Sequence, residues 1–168
     1  EFTASQAVGK IATIGLSYQF SRIDVITPAS RFKIMNPLGE TSGIHDGEFI
    51  WNIATSGDTV VVNRRKVVEG DNTPAQTFIP ADLVYKDQTS SISRCLGYNP
   101  ITKRFYIYTY RSSLQERILQ EYSDGTFSNL IQTRTLAINR FSTYNFYIYG
   151  NYMIVPATDY ISVFNYVT

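Results

Sequence analysis

The chain has 168 residues, of which 15 are basic and 14 acidic, and 14% are aromatic. A chain of this length fits one domain that buries roughly two thirds of the surface its unfolded form exposes. The near-neutral charge argues against nonspecific nucleic-acid binding, which needs a basic surface, and the short apolar runs argue against membrane insertion, which needs roughly 20 residues.

The chain starts with Glu1-Phe2 rather than methionine, which is typical of a cloning scar or of the cut edge of a longer polypeptide. No charged segment followed by an apolar stretch is present, so we expect a soluble protein without a signal peptide in this sequence, and its localisation stays open. Cys95 is the only cysteine, so no disulfide can form within the chain. We expect Cys95 to be a small buried residue in a strand, with a reactive or intermolecular thiol as the alternative.

Strand signals recur along the chain as a turn pair, an apolar strand, a polar break and a second strand. Gly9-Lys10 opens IATIGLS, and a second strand follows at residues 22–26. Residues 27–46 contain two prolines and two glycines, which predicts a strand at residues 31–35 and then a long loop.

The next unit follows the same arrangement. Gly47-Glu48 opens FIWNIA, and a hairpin partner is predicted at residues 59–63. Beyond it, residues 70–74 form a polar turn cluster, and a further short strand is predicted at residues 83–85. Insertions in repeat proteins tend to lie on one face, often the binding face.

Residues 91–133 carry the clearest pattern. A turn begins at Asn99-Pro100, because proline fixes φ, and the aromatic and β-branched run at residues 104–110 favours a strand. A polar break precedes a strand that ends at residue 122, and Asp124-Gly125 predicts a tight turn into a third strand at residues 126–133. With residues 91–98 in front, four antiparallel strands are expected. A weak helical pattern at residues 112–121 is assigned to strand, because the tight turn requires a strand before it.

The last unit is opened by Gly150-Asn151, with strands predicted at residues 152–155 and 160–166. The openings at residues 9, 47, 103 and 150 are 47 residues apart on average, and a four-stranded repeat of roughly 40–50 residues has the size of a propeller blade. The segments YNPITKRFYIY and GNYMIVPATDYISVFNY resemble β-propeller blades in general, without the WD, GH or kelch signatures that would name a family.

This resemblance implies one all-β domain over residues 1–168, built from antiparallel four-stranded blade-like repeats. The units are expected near residues 9–46, 47–90, 91–140 and 141–168, as a whole propeller or as a fragment of a longer chain. A β-sandwich or jelly roll is the alternative fold, since a series of unrelated hairpins gives much the same pattern.

Catalytic chemistry is not indicated. His45 is the only histidine and lies in a predicted loop, so neither a nucleophile–base pair nor a zinc site with three or four N/S ligands is expected. The segment GETSG has its serine in the wrong place for a nucleophile elbow, and no glycine-rich phosphate loop or calcium loop is present. We therefore expect no enzyme activity, no metal and no cofactor.

Several residues are candidates for binding. The triplet Arg64-Arg65-Lys66 interrupts a predicted strand and would either protect an exposed edge or bind an acidic partner or a phosphate. Trp51 is expected to pack in the core or between blades, with a sugar-stacking platform as the alternative. Tyr147 and Tyr149 share one strand face, which is expected to be an interface to a neighbouring blade or an aromatic contact surface.

The favoured function is that of a noncatalytic binding or scaffold module that engages a macromolecular partner through loops and an aromatic-rich face. One alternative is a virion or phage structural or attachment domain built as a β-sandwich. Another is a lectin that binds glycans through Trp51 or the tyrosine face. The expected partners are a protein or a glycan, and the chain is expected either to form a homo-oligomer or to be completed by other chains.

Overall fold

A computed structural model describes residues 43–56, 59–66, 74–86, 92–137, 146–156 and 161–167. Within these ranges the secondary structure consists of β-strands and one short 3-10 turn, Ser112–Leu114. No helix in the described part has the length and apolar character needed to cross a membrane. The predicted all-β class with antiparallel sheets is confirmed. The strands predicted at residues 22–26 and 31–35 lie outside the described residues.

Three antiparallel sheets follow one another along the chain. Sheet A contains β1 (Ile44–His45), β2 (Phe49–Ser56), β3 (Thr59–Lys66) and β4 (Gln76–Phe78). Sheet B contains β5 (Ile92–Asn99), β6 (Arg104–Arg111), β7 (Glu116–Tyr122) and β8 (Leu130–Thr135). Sheet C contains β9 (Tyr147–Tyr149), β10 (Tyr152–Pro156) and β11 (Ile161–Asn165). In each sheet the neighbouring strands are also neighbours in sequence.

The turn predicted at Asn99-Pro100 is confirmed. The Asn99 carbonyl accepts a hydrogen bond from the backbone N–H of Lys103 at 2.8 Å, and the Asn99 side chain accepts one from the N–H of Ile101 at 3.1 Å. Lys103 has φ of +60°, a left-handed conformation that the tight connection requires. The turn sets β5 and β6 in register from Asn99↔Arg104 to Ile92↔Arg111.

The turn after β7 is longer than predicted. Asp124 accepts hydrogen bonds from the backbone and the hydroxyl of Thr126, and the chain enters β8 only at Leu130. Between them Phe127 adopts φ of +56° and is fully buried. Burial of a large aromatic ring offsets the strain of a left-handed residue, so the loop folds inward where the sequence predicted a strand.

The strand predicted at residues 83–85 is also wrong. Residues 81–86 form turns, with positive φ at Asp82 and Tyr85. The segment is fixed by the N–H of Ala81, which donates to the Phe127 carbonyl at 2.9 Å, and by Leu83, which is buried. Leu83 is therefore a core residue on a turn.

Two smaller corrections concern sheet A. β3 continues through the basic triplet to Lys66, so the triplet lies within the strand and does not interrupt it. Arg65 is buried whereas Arg64 and Lys66 are not, because successive residues of a strand point to opposite faces of the sheet. His45 pairs with Ile50 at the end of β1 rather than lying in a loop.

The first core fills the space between sheets A and B. Trp51 lies at its centre, with ring centroids 4.7 Å from Phe105 and 6.1 Å from Phe127. Aliphatic side chains surround this aromatic group: Ile53, Val60, Val62, Leu83, Leu96 and Ile107. Each fully buried side chain of this size stabilises the fold by roughly 1.5–3 kcal/mol, so this core joins the two sheets firmly.

The second core lies on the opposite face of sheet B, against sheet C. Tyr106 and Tyr166 bring their hydroxyls to 3.0 Å across it. The other members come from both sheets: Cys95, Tyr108, Leu119, Phe146, Ile148, Met153 and Val155. Cys95 is buried as expected, and burial raises the pKa of its thiol to about 12. Sheet B is thus the middle layer, with A and C on either side.

Gly125 allows the close contact between the sheet B turn and Trp51, because a Cβ at this position would lie 2.4 Å from the indole ring. We expect Gly125→Ala to lower the free energy of unfolding by about 1–3 kcal/mol, the usual effect of overpacking. Urea unfolding measures this, with Thr102→Ala in an exposed turn as the control. A loss no larger than that of the control would contradict the packing.

Candidate functional site

The candidate site is the outer face of sheet C, the side that points away from sheet B. Strand alternation directs Ile148, Met153 and Val155 inward, where each is buried. The residues between them point outward. Its aromatic and aliphatic residues define the outer face of sheet C here: Tyr147, Tyr149, Tyr152, Ile154, Ile161 and Val163. Pro156 and Asn165 lie on the same side at the ends of β10 and β11.

These side chains form one continuous surface. In the strand register Ile154 lies beside both Tyr147 and Val163, and Tyr152 lies beside Tyr149. Five of the six are exposed by half or more, from 52% for Tyr152 to 69% for Ile161. The three strands contain no charged residue. The face is therefore apolar and uncharged, and tyrosine hydroxyls supply most of its hydrogen-bonding capacity.

Hydrogen bonds from sheet B and from Tyr166 fix the β9–β10 turn of this face. The side chain of Asn99, which is fully buried, donates to the Gly150 carbonyl at 2.8 Å and accepts from the Gly150 N–H at 3.2 Å. Tyr166 donates a further hydrogen bond to the same carbonyl at 3.1 Å. Gly150 has φ of +57°, which suits the tight β9–β10 turn. Sheet B thereby holds the turn that carries Tyr149 and Tyr152.

The structure brings Tyr147 and Tyr149 together on this face, as the sequence predicted for one strand. It places the other four predicted residues in sheet A, on the far side of sheet B. Trp51 is buried, with 1% of its surface exposed, so its ring offers no surface to an external sugar in this conformation.

The basic triplet is divided between the two faces of β3. Arg64 lies over aromatic rings, 4.5 Å from the Phe49 ring centroid and 5.3 Å from that of Trp51. Arg65 is buried on the opposite face, and Lys66 forms an exposed ion pair with Glu48 at 3.1 Å. The triplet does not form a single basic patch, and its role in binding stays a prediction.

Four residues of this face were not predicted from the sequence: Tyr152, Ile154, Ile161 and Val163. The segment YMIVP is apolar or aromatic at every position, which is typical of a strand covered on both faces. This pattern could have indicated a second contact surface, since the structure leaves one of the two apolar faces open.

Other features of the described part offer little for catalysis. It contains no group of three or more His, Cys, Asp and Glu residues that could hold a metal ion. A groove of about 320 Å³ runs between the end of β8 and the end of β11, and its described lining includes Arg134 but no carboxylate, histidine or cysteine.

Comparison of the chain with protein-family models, with curated proteins and with solved structures gave no match in any of the three.

Asp46 links the β1–β2 turn to Trp51. Its carboxylate accepts hydrogen bonds from the N–H groups of Glu48 and Phe49 and, at 2.8 Å, from the Trp51 indole nitrogen. Desolvation alone would raise the pKa of Asp46, but these hydrogen bonds outweigh it, and the pKa lies below its ordinary value. A carboxyl whose pKa is lowered by folding stabilises the fold at pH values above its ordinary pKa. This contribution is lost as the pH falls through the lowered pKa of the folded state.

We expect Asp46→Ala to lower the free energy of unfolding at pH 7 by about 1–3 kcal/mol, because the buried indole donor loses its acceptor. Below about pH 4, the free energy of unfolding should fall less steeply with decreasing pH in this variant than in the unsubstituted protein. Urea unfolding between pH 3 and pH 7 measures both effects. Asp46→Asn, which keeps an acceptor oxygen, is the control and should lose less. Equal acid sensitivity of all three proteins would contradict the assignment.

Proposed function

We propose that this chain is a noncatalytic binding or scaffold module that engages a macromolecular partner through the outer face of sheet C. The observation that carries this proposal is the exposure of five large apolar side chains on one uncharged face. Together they leave on the order of 500 Å² open to solvent, since large aromatic side chains bring about 150–250 Å² each. Patches of this size are the largest that ordinary monomers expose, and they often mark interaction sites.

The chemistry of the face supports a protein partner. Tyrosine is enriched at the centre of protein interfaces, whereas charged residues are depleted there. Hydrogen bonds from Asn99 hold the β9–β10 turn of this face in place, so binding needs little ordering of the backbone there. A preformed surface keeps the entropic cost of association low.

For the architecture we propose that sheets A, B and C are blades of a β-propeller or of a propeller fragment. The sheets follow one another in chain order, and they approach one another at their first one or two strands. β5 contacts β1 and β2 on one side and β9 on the other, whereas β8 makes no comparable approach within the described part. Sheets that converge at their first strands fit a radial arrangement better than a flat sandwich.

The binding proposal is tested by replacing the tyrosines of the face. We expect Tyr147→Ser combined with Tyr149→Ser to abolish capture of the partner from an extract of the source cells. Stability should change by no more than about 0.5 kcal/mol per substitution, as for other exposed positions. Affinity capture followed by mass spectrometry gives the readout.

The matched control combines Ile101→Ser with Leu114→Ser, two side chains of similar exposure that lie outside this face. The control should retain the captured protein. Identical captured proteins for the unsubstituted chain, the tyrosine variant and the control would contradict the proposal.

Glycan binding is a second candidate, favoured by the two tyrosines, which are 60% and 59% exposed on the same side of β9. Aromatic rings in this arrangement can stack on successive sugar rings. We expect Tyr147→Ala to lose any signal on a glycan array while remaining folded. An array without a signal from the unsubstituted protein at millimolar glycan would remove this candidate. The virion or phage structural role stays a prediction.

A further inference from the structure

We propose that the outer face of sheet C is covered by the same face of a second copy of this chain, so that two chains pack sheet against sheet about a twofold axis. This inference rests on the proposed function, because it names the partner of the same surface. It follows from four properties of the described residues: the way the sheets already pack, the faces that are open, the charge of the face and its area.

Sheet-on-sheet packing is how this chain already buries its apolar faces. Sheet B is covered on both sides, by the core around Trp51 and by the core around Tyr106. Among the described residues, sheet C is covered by another sheet on one side only. Its open side carries tyrosine, isoleucine and valine, the same kinds of side chain that fill the two existing cores. A further sheet with similar side chains would therefore fit this face.

Sheet A does not offer an open face that matches the outer face of sheet C. On the side of sheet A that points away from Trp51, Asn52, Val61 and Arg65 are all buried, with exposures of 2%, 7% and 3%. Head-to-tail stacking of sheet C on sheet A of another copy would require that covered side. Pairing of sheet C with sheet C uses only surface that is open, and it closes as a dimer instead of growing into a fibre.

The charge of the face also permits self-association. β9, β10 and β11 carry no charged side chain, so two copies can meet without burying like charges. A strongly acidic or basic partner would gain no ion pair from the strands of this face. The net charge of +1 adds little repulsion at longer range.

The area of the face is small for a stable interface. Two copies would bury on the order of 1,000 Å² in total, near the lower limit for a specific interface. We therefore expect a reversible dimer whose population rises with protein concentration.

Sedimentation velocity over protein concentrations from low to high micromolar tests the proposal. The unsubstituted protein should change from a species of 19.1 kDa to one of twice that mass. Val163→Lys, at the centre of the edge strand β11, should remain monomeric at every concentration. Leu114→Lys places the same charge on a side chain of equal exposure, 60%, outside the face, and should dimerise like the unsubstituted protein.

Ile161→Lys provides a second variant in case Val163→Lys does not fold, and circular dichroism checks each protein. A monomer at all concentrations in the unsubstituted protein would overturn the dimer. Equal dimerisation of the Val163→Lys and Leu114→Lys variants would overturn the assignment to this face. If the unsubstituted protein is monomeric but the tyrosine variant still loses a captured protein, the binding module stands and only the second copy is excluded.

Discussion

The packing of the Trp51 indole between sheets A and B is the constraint on which the rest of the structure depends. The ring contacts aromatic side chains of both sheets, and its nitrogen donates to Asp46 at 2.8 Å. Gly125 and the inward-folded Phe127 bring the β7–β8 turn of sheet B to the same ring. Hydrophobic burial and a charge-assisted hydrogen bond thus act at one residue, and together they fix how the first two sheets meet.

Once sheet A covers one face of sheet B, the other face determines the position of sheet C. Asn99 and Tyr166 hold the β9–β10 turn by hydrogen bonds, and a continuous core fills the space beneath it. The same strand alternation that buries Met153 and Val155 turns the tyrosines outward. The candidate binding face therefore follows from the order of the layers, because in the described part of the chain sheet C packs against another sheet on only one of its two sides.

The sequence predicted the strands better than it predicted the loops and turns that connect them. The aromatic run of β6 and the turn at Asn99 follow from local chemistry, and both are confirmed. The burial of Phe127 and Leu83 could not be predicted from the sequence, because both side chains pack in a core formed by residues that are distant in sequence. Tyr147 and Tyr149 lie on the same face because side chains alternate along a strand, and this follows from the sequence alone. Val163 joins them only through the strand register, which no local pattern specifies.

The most direct test of this account is the fluorescence of Trp51, the only tryptophan in the chain. A ring that is 1% exposed and surrounded by aromatic side chains should emit at shorter wavelength than tryptophan in water and resist quenching by acrylamide. Unfolding in guanidinium should shift the emission to longer wavelength and restore quenching. Emission and quenching like those of free tryptophan in the native protein would contradict the packing of Trp51 between sheets A and B, and with it the order of the three layers.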